Sequence, residues 1–153
     1  MLVWTHKYAL GIRRLDADHV TLVALLNQLH INLAEDRSDH ALEPILAALI
    51  NYADYHFRFE ERIMVESHYP GAAAHKAIHD SFRARIQDLL GEPVRSRDGA
   101  RKLRALLGSW LFDHIVKADG DLGGWLRANA FAVSEVPHPI LDGTREAEEV
   151  SAS

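Results

Sequence analysis

The chain contains no cysteine. That excludes disulfides, thiolate-ligated zinc and iron–sulfur clusters, all of which need the sulfur. It has no run of about 18 consecutive apolar residues, the length that spans a bilayer as a helix, so no membrane segment is predicted. The opening stretch, MLVWTHKYALG, lacks the long apolar core of a secretory leader, and a cytoplasmic protein is expected. Positive charge is also scarce. Lys and Arg number 17 against 22 Asp and Glu, for a net charge of −5, with no basic cluster, so neither a nucleic-acid nor a membrane partner is expected. Glu135, Asp142, Glu146, Glu148 and Glu149, against Arg145, put much of the negative excess near the C-terminus. There is no internal repeat and no low-complexity tract.

What is present is an ordinary globular composition, 48% hydrophobic and 25% charged over 153 residues, enough for one domain with one core. Apolar residues recur at steps of three and four, the spacing that keeps side chains on one face of a helix. The pattern predicts four helices, over about 16–34, 40–67, 72–90 and from 98 to a point where Gly120 loosens the last one before 123–126. Asp16 is placed to cap the first, with Leu15 and Val20 stapled across it. Residues 35–39 read as a loop, Tyr69-Pro70-Gly71 as the strongest break, and Asp98 as a cap for the fourth helix. The expected architecture is all-α, an antiparallel up-down-up-down four-helix bundle over 1–127 with an N-terminal arm (1–15). A C-terminal extension (128–153) is expected to be partly disordered.

Each apolar stripe is interrupted by a metal-ligating residue type. The first runs Leu15, His19, Leu22, Leu26; the second Leu49, Tyr52, His56, Phe59, Ile63, with Glu60 one turn after His56. The third contains His75 and His79 ahead of Phe82 and Ile86, and the fourth leads through Leu107 and Trp110 to His114, with Asp119 beyond. Ten histidines in 153 positions produce roughly 0.65 pairs at a spacing of four by chance, so His75 and His79 alone carry no weight. The coincidence of five does. In an antiparallel bundle the start of the first and third helices and the end of the second and fourth meet at one level, where all seven groups converge. His6, His30, His40, His68 and His138 fall outside the pattern.

Five buried imidazoles are costly unless satisfied, and a metal satisfies them. Five imidazoles and two carboxylates are too many for one ion, since tetrahedral zinc takes four ligands and an octahedral site six. Two ions fit, bridged by both carboxylates and a solvent oxygen. His75, His79 and His114 on one give it six ligands; His19 and His56 on the other give it five and an open position for a small diatomic. Iron, zinc, copper and manganese all suit such a donor set. The ferritin-like carboxylate centres take a Glu-x-x-His motif from each of two helices, and none of the four predicted helices carries one. A histidine-rich site favours reversible binding over oxygen activation.

Trp4 through Gly11, Leu15 through His19, His56 through Met64, Tyr69-Pro70, His75 with His79 and Phe82, and Trp110 through Ile115 with Asp119 resemble the hemerythrin family in its bacterial single-domain form, over about residues 4–126. The resemblance implies an oxo- or hydroxo-bridged non-haem di-iron site. One iron would be held by His75, His79 and His114, the other by His19 and His56, with Glu60 and Asp119 bridging. It implies reversible dioxygen binding at the iron with two histidines, for carriage, storage or sensing. Leu22, Phe57, Trp110, Leu111 and Ile115 would form the oxygen pocket, positions that read equally as core. The alternative is a di-iron redox enzyme reducing peroxide or nitric oxide, and a third reading is a metal-storage or interaction bundle. Asp119 lies five residues after His114, about 140° round an ideal helix, and Asp121 fits the stripe better. The resemblance selects Asp119, with Gly120 marking a helix able to distort. Asp18 departs from the family's usual glutamine, and Leu122 from a common tyrosine.

Overall fold

The computed structural model describes residues 1–35, 39–91 and 97–133, and the regular structure among them is all helical. Helices α1 (Arg13–Ala34), α2 (Asp39–Glu66), α3 (Ala72–Gly91) and α4 (Arg97–His114) form a four-helix bundle. α1 packs on α2 and α4, and α3 packs on the same two, which closes the ring. α4 continues through a π-helical turn, Ile115–Asp119, into α5 (Gly120–Ala128). Among the described residues no helix is long and apolar enough to cross a membrane.

The apolar stripes do the packing, but they form two clusters rather than one. The larger joins Leu22, Leu26, Leu29, Leu49, Phe57, Phe82, Leu103, Leu107, Leu111 and Ile115. The smaller joins Leu10, Ile12, Leu15, Phe59, Ile63, Met64, Leu122, Leu126 and Val133 at the other end. His19 sits between Leu15 and Leu22, Glu60 between Phe57 and Ile63, and Asp119 between Ile115 and Leu122. A polar layer therefore lies between two apolar ones, one helical turn from each.

The end of α2 shows how the chain enters that layer. His68 takes the left-handed conformation (φ 57°). The Tyr69 N–H donates to the Met64 carbonyl (2.9 Å) and the His68 N–H to that of Val65 (3.2 Å), a Schellman closure. The 67–71 connection is short, so α3 returns antiparallel and brings His75 back to the level of Glu60.

Several local expectations need correction. α1 begins at Arg13, with Ile12 at its cap position, so Asp16 lies inside the first turn. Its carboxylate instead accepts the backbone N–H groups of Leu10 (2.7 Å) and Gly11 (3.1 Å), tying the N-terminal arm to the helix. Gly11 permits this with φ +76°, and Gly123 lets Leu10 approach to where a Cβ would stand 3.1 Å away. The Leu15–Val20 staple does not form: Leu15 is buried and Val20 is 44% exposed. The arm also holds a 3-10 turn, His6–Tyr8. Asp98 falls within the first turn of α4, which starts one residue earlier. Gly120 does not loosen the helix; it is helical (φ −58°, ψ −44°) and the chain stays helical to Ala128. The loop expectation at 36–38, the turn residues Pro93 and Ser96, His138 and the extension beyond 133 lie outside the described residues.

Candidate metal centre

The seven side chains singled out from the stripes lie together and are buried: His19, Glu60, His79 and Asp119 at 0% exposure, His56, His75 and His114 at 1–5%. They fall into two groups that share both carboxylates. Glu60, His75, His79, His114 and Asp119 form one; His19, His56, Glu60 and Asp119 form the other. His6, His30 and His68 belong to neither.

The sharing is atom by atom. Glu60 Oε1 is 3.2 Å from His56 Nε2, while Oε2 is 3.2 Å from His79 Nε2 and 3.4 Å from His75 Nε2. Asp119 Oδ2 is 3.0 Å from His19 Nε2, while Oδ1 is 2.9 Å from His114 Nε2 and 3.1 Å from His75 Nε2. Each carboxylate thus presents one oxygen to either group. Within the groups, His114 Nε2 lies 3.0 Å from that of His79 and 3.3 Å from that of His75, and His19 and His56 are 3.1 Å apart.

These distances do not amount to mutual satisfaction. Two imidazole nitrogens share one hydrogen at most, so three crowded together cannot all be paired. None of the four oxygens of Glu60 and Asp119 accepts a properly directed hydrogen bond from a described residue. Orphaned buried carboxylates are expensive. Donors about 2.1 Å from a shared metal and at right angles lie about 3.0 Å apart, which matches the observed spacing. The residues present fit a metal.

Charge says the same. Burial opposes ionisation of His75 and His56, but the carboxylates of Asp119 and Glu60 facing His75, and of Glu60 and Asp18 facing His56, outweigh it. Both are raised, His75 to about 9 and His56 well above its ordinary value. Burial likewise pushes Glu60 and Asp119 up, yet the surrounding imidazoles hold both below the usual carboxylate range. The layer calls for positive charge at its centre, which protons or metal ions can supply.

Asp119 reaches the centre because of the π-turn. A turn closed by i→i+5 bonds needs about one residue more than an α-turn to return to the same face, so a step of five does the work of a step of four. Asp121 is exposed instead.

Around the ligands stand further polar residues, of which the sequence marked Tyr52 only as a stripe position and Asp18 only as a departure from the family pattern. Buried Asp18 accepts from His56 Nδ1–H (2.9 Å) and from the Tyr52 hydroxyl (2.8 Å). Glu61 accepts from His79 Nδ1–H (3.0 Å) and from Arg83 (2.7 Å). The sequence signals were faint: Tyr52 is one turn before His56, Arg83 one turn after His79, and Glu61 reads as one of many surface acids. Aromatic rings brace the imidazoles, Phe57 stacked on His79 at 4.2 Å and Trp110 on His114 at 4.3 Å, with Trp4 of the arm 6.0 Å from His19. Leu22, Phe57, Trp110 and Leu111 line a small enclosed apolar cavity of about 10 Å³ beside the centre. Ile115 is fully buried in the same cluster but does not line that cavity.

The family described as hemerythrin HHE cation binding domain matches residues 10–126. A bacteriohemerythrin of Stenotrophomonas maltophilia is 33% identical over 115 residues, 75% of this chain and 74% of that protein. One from Pseudomonas aeruginosa is 31% identical over 142 residues, 93% and 90% of the two chains. A solved structure of a hemerythrin mutant is similar with a TM-score of 0.69 at 31% identity, covering 81% of this chain and 95% of that one.

Proposed function

This chain belongs to the hemerythrin family, and from that premise we propose that it binds dioxygen reversibly at a non-haem di-iron centre, for carriage, storage or sensing. The supporting observation is a pair of imidazole groups that share two carboxylates, one oxygen of each carboxylate to each group. In this reading His75, His79 and His114 would hold one iron and His19 and His56 the other, with Glu60 and Asp119 offering an oxygen to each. A pair of ferrous ions supplies the two electrons that dioxygen takes up on binding and returns on release.

The chain's own residues set the conditions for reversibility. Three nitrogens face one position and two face the other, so the two-histidine side has the more open coordination. Asp18 and Glu61 hold protons at Nδ1 of His56 and His79, which leaves each Nε2 lone pair directed inward. Leu22, Phe57, Trp110 and Leu111, with Ile115 behind them, offer water few hydrogen-bond partners, and a dry wall slows escape of the ligand in a protonated, reduced form.

Gas uptake tests the proposal. Iron-loaded reduced protein should take up one dioxygen for every two irons and give it back when oxygen pressure falls. Sustained consumption of peroxide or nitric oxide with an added reductant would favour the redox-enzyme reading instead. Glu60→Ala and His79→Ala should abolish two-iron binding, and His30→Ala should leave it intact; di-iron loading that survives the first two would contradict the ligand assignment.

A further inference from the structure

The ligands of the centre are not braced alike, and the two that are braced differ in where their partners lie. His19 and His75 have no partner at Nδ1 among the described residues, whereas His56 and His79 each give Nδ1–H to a carboxylate. For His56 that carboxylate, Asp18, is fully buried. For His79 it is Glu61, 18% exposed, and it reaches the surface through Arg83, 26% exposed.

The geometry at His79 is unusually complete. Consecutive residues of α2 flank its ring at both nitrogens: Glu60 lies 3.2 Å from Nε2 without a directed hydrogen bond, and Glu61 accepts from Nδ1–H at 3.0 Å. The same Glu61 oxygen accepts from Arg83 Nη1 at 2.7 Å. An ionised carboxylate held by a guanidinium can only accept, so Nδ1 carries the hydrogen and Nε2 faces the centre as a lone pair. Arg83 is itself fixed by Asp54 and Asp80 (3.0 Å each), and its guanidinium lies 5.4 Å over the Phe57 ring, which stacks on His79. Arg83, Glu61, Asp54 and Phe57 border an open groove of about 520 Å³ between α2 and α3.

We propose that Glu61 and Arg83 are a positioning pair for His79: Glu61 fixes its tautomer and raises its donor strength, and Arg83 sets how much of the Glu61 charge the imidazole feels. The inference rests on reading the cluster as a metal site and adds a control point that opens to the surface groove. A negatively charged acceptor at Nδ1 pushes electron density toward the metal, favours the higher oxidation state and tightens binding.

The test compares full-length wild type, Glu61→Ala, Glu61→Gln and Arg83→Met, each loaded with iron and, separately, with cobalt(II). In competition with EDTA, Glu61→Ala should bind one of its two metals roughly 10- to 100-fold more weakly, the other as in wild type. Glu61→Gln keeps an oxygen to accept the Nδ1 hydrogen, so most of the affinity should return while the reduction potential stays above wild type. Arg83→Met leaves more of the Glu61 charge on the imidazole, so its reduction potential should fall below wild type, opposite in sign to the shift in Glu61→Gln. A merely structural Glu61 would lower the melting temperature without moving the potential or the cobalt ligand-field spectrum of the Gln variant. Unchanged affinity and potential in both Glu61 variants overturn the proposal; if Glu61→Ala does not fold, the potential of Glu61→Gln decides it. A wild type that binds cobalt but not iron contradicts the di-iron reading alone, and the positioning pair is then judged on cobalt affinity and spectrum.

Discussion

Glu60 and Asp119 are fully buried and held ionised, and their oxygens lie near imidazole nitrogens without receiving directed hydrogen bonds. Side chains in that condition persist when something else at the centre compensates them. The residues behind the ligands then determine how well the nitrogens are aimed, and Asp18 is the most enclosed of them. Asp18→Ala would take the acceptor from His56 Nδ1–H and from the Tyr52 hydroxyl together. The metal-free chain should lose about 1–3 kcal/mol in urea denaturation, and the metal on the two-histidine side should bind more weakly. Asp18→Asn, which retains an accepting oxygen, should recover most of that loss. An Asp18→Ala chain as stable as wild type would show that the interior does not depend on this carboxylate.

At the level of helices, the stripes were legible because steps of three and four report burial directly, and five of the seven central groups are histidines standing where leucine would otherwise go. Helix interiors followed the pattern, and both ends of α2 and α3 lie within one residue of expectation; the start of α1 and the end of the last helix do not. Asp16 has the right chemistry for a cap, yet tertiary packing of Leu10 and Ile12 against Leu122 and Leu126 starts α1 earlier and gives its carboxylate a different task. Asp119 illustrates a different limit. An ideal-helix wheel places Asp121 on the ligand face, and only the π-turn, invisible to a fixed period, brings Asp119 there instead. Asp119→Ala should therefore remove two-metal binding while circular dichroism stays helical, and Asp121→Ala should leave metal content unchanged. The reverse outcome would mean that α4 continues as an ordinary α-helix into α5.

Across the whole molecule, the polar layer separates two apolar clusters, so the metal-free chain must hold its halves together across unsatisfied charge. Removing metal with a chelator should lower the melting temperature, because ligands organised only in the folded state make metal binding part of folding. It should also make stability depend on pH. His75 is held at about 9, above its ordinary 6.5, and His56 is raised too, so their stabilising protonation is fully present below 6.5 and is lost as pH rises through about 9. Glu60 and Asp119, held low, contribute above the ordinary carboxylate range and lose that contribution only in strong acid. The urea midpoint of the metal-free protein should accordingly fall between pH 6.5 and 9, while the metal-loaded protein, in which ions replace those protons, should show a flatter profile. A metal-free protein that grows more stable over that interval would contradict the charge balance described for the layer.

Reversible oxygen binding is tested most directly by the visible spectrum of iron-loaded protein, reduced without air and then cycled between air and argon. Reversible binding should give a colourless reduced form, an absorption band that appears in air, and its loss under argon over repeated cycles with two irons retained per chain. A band that forms once and passes irreversibly to the oxidised form, or the absence of any iron chromophore, would contradict it.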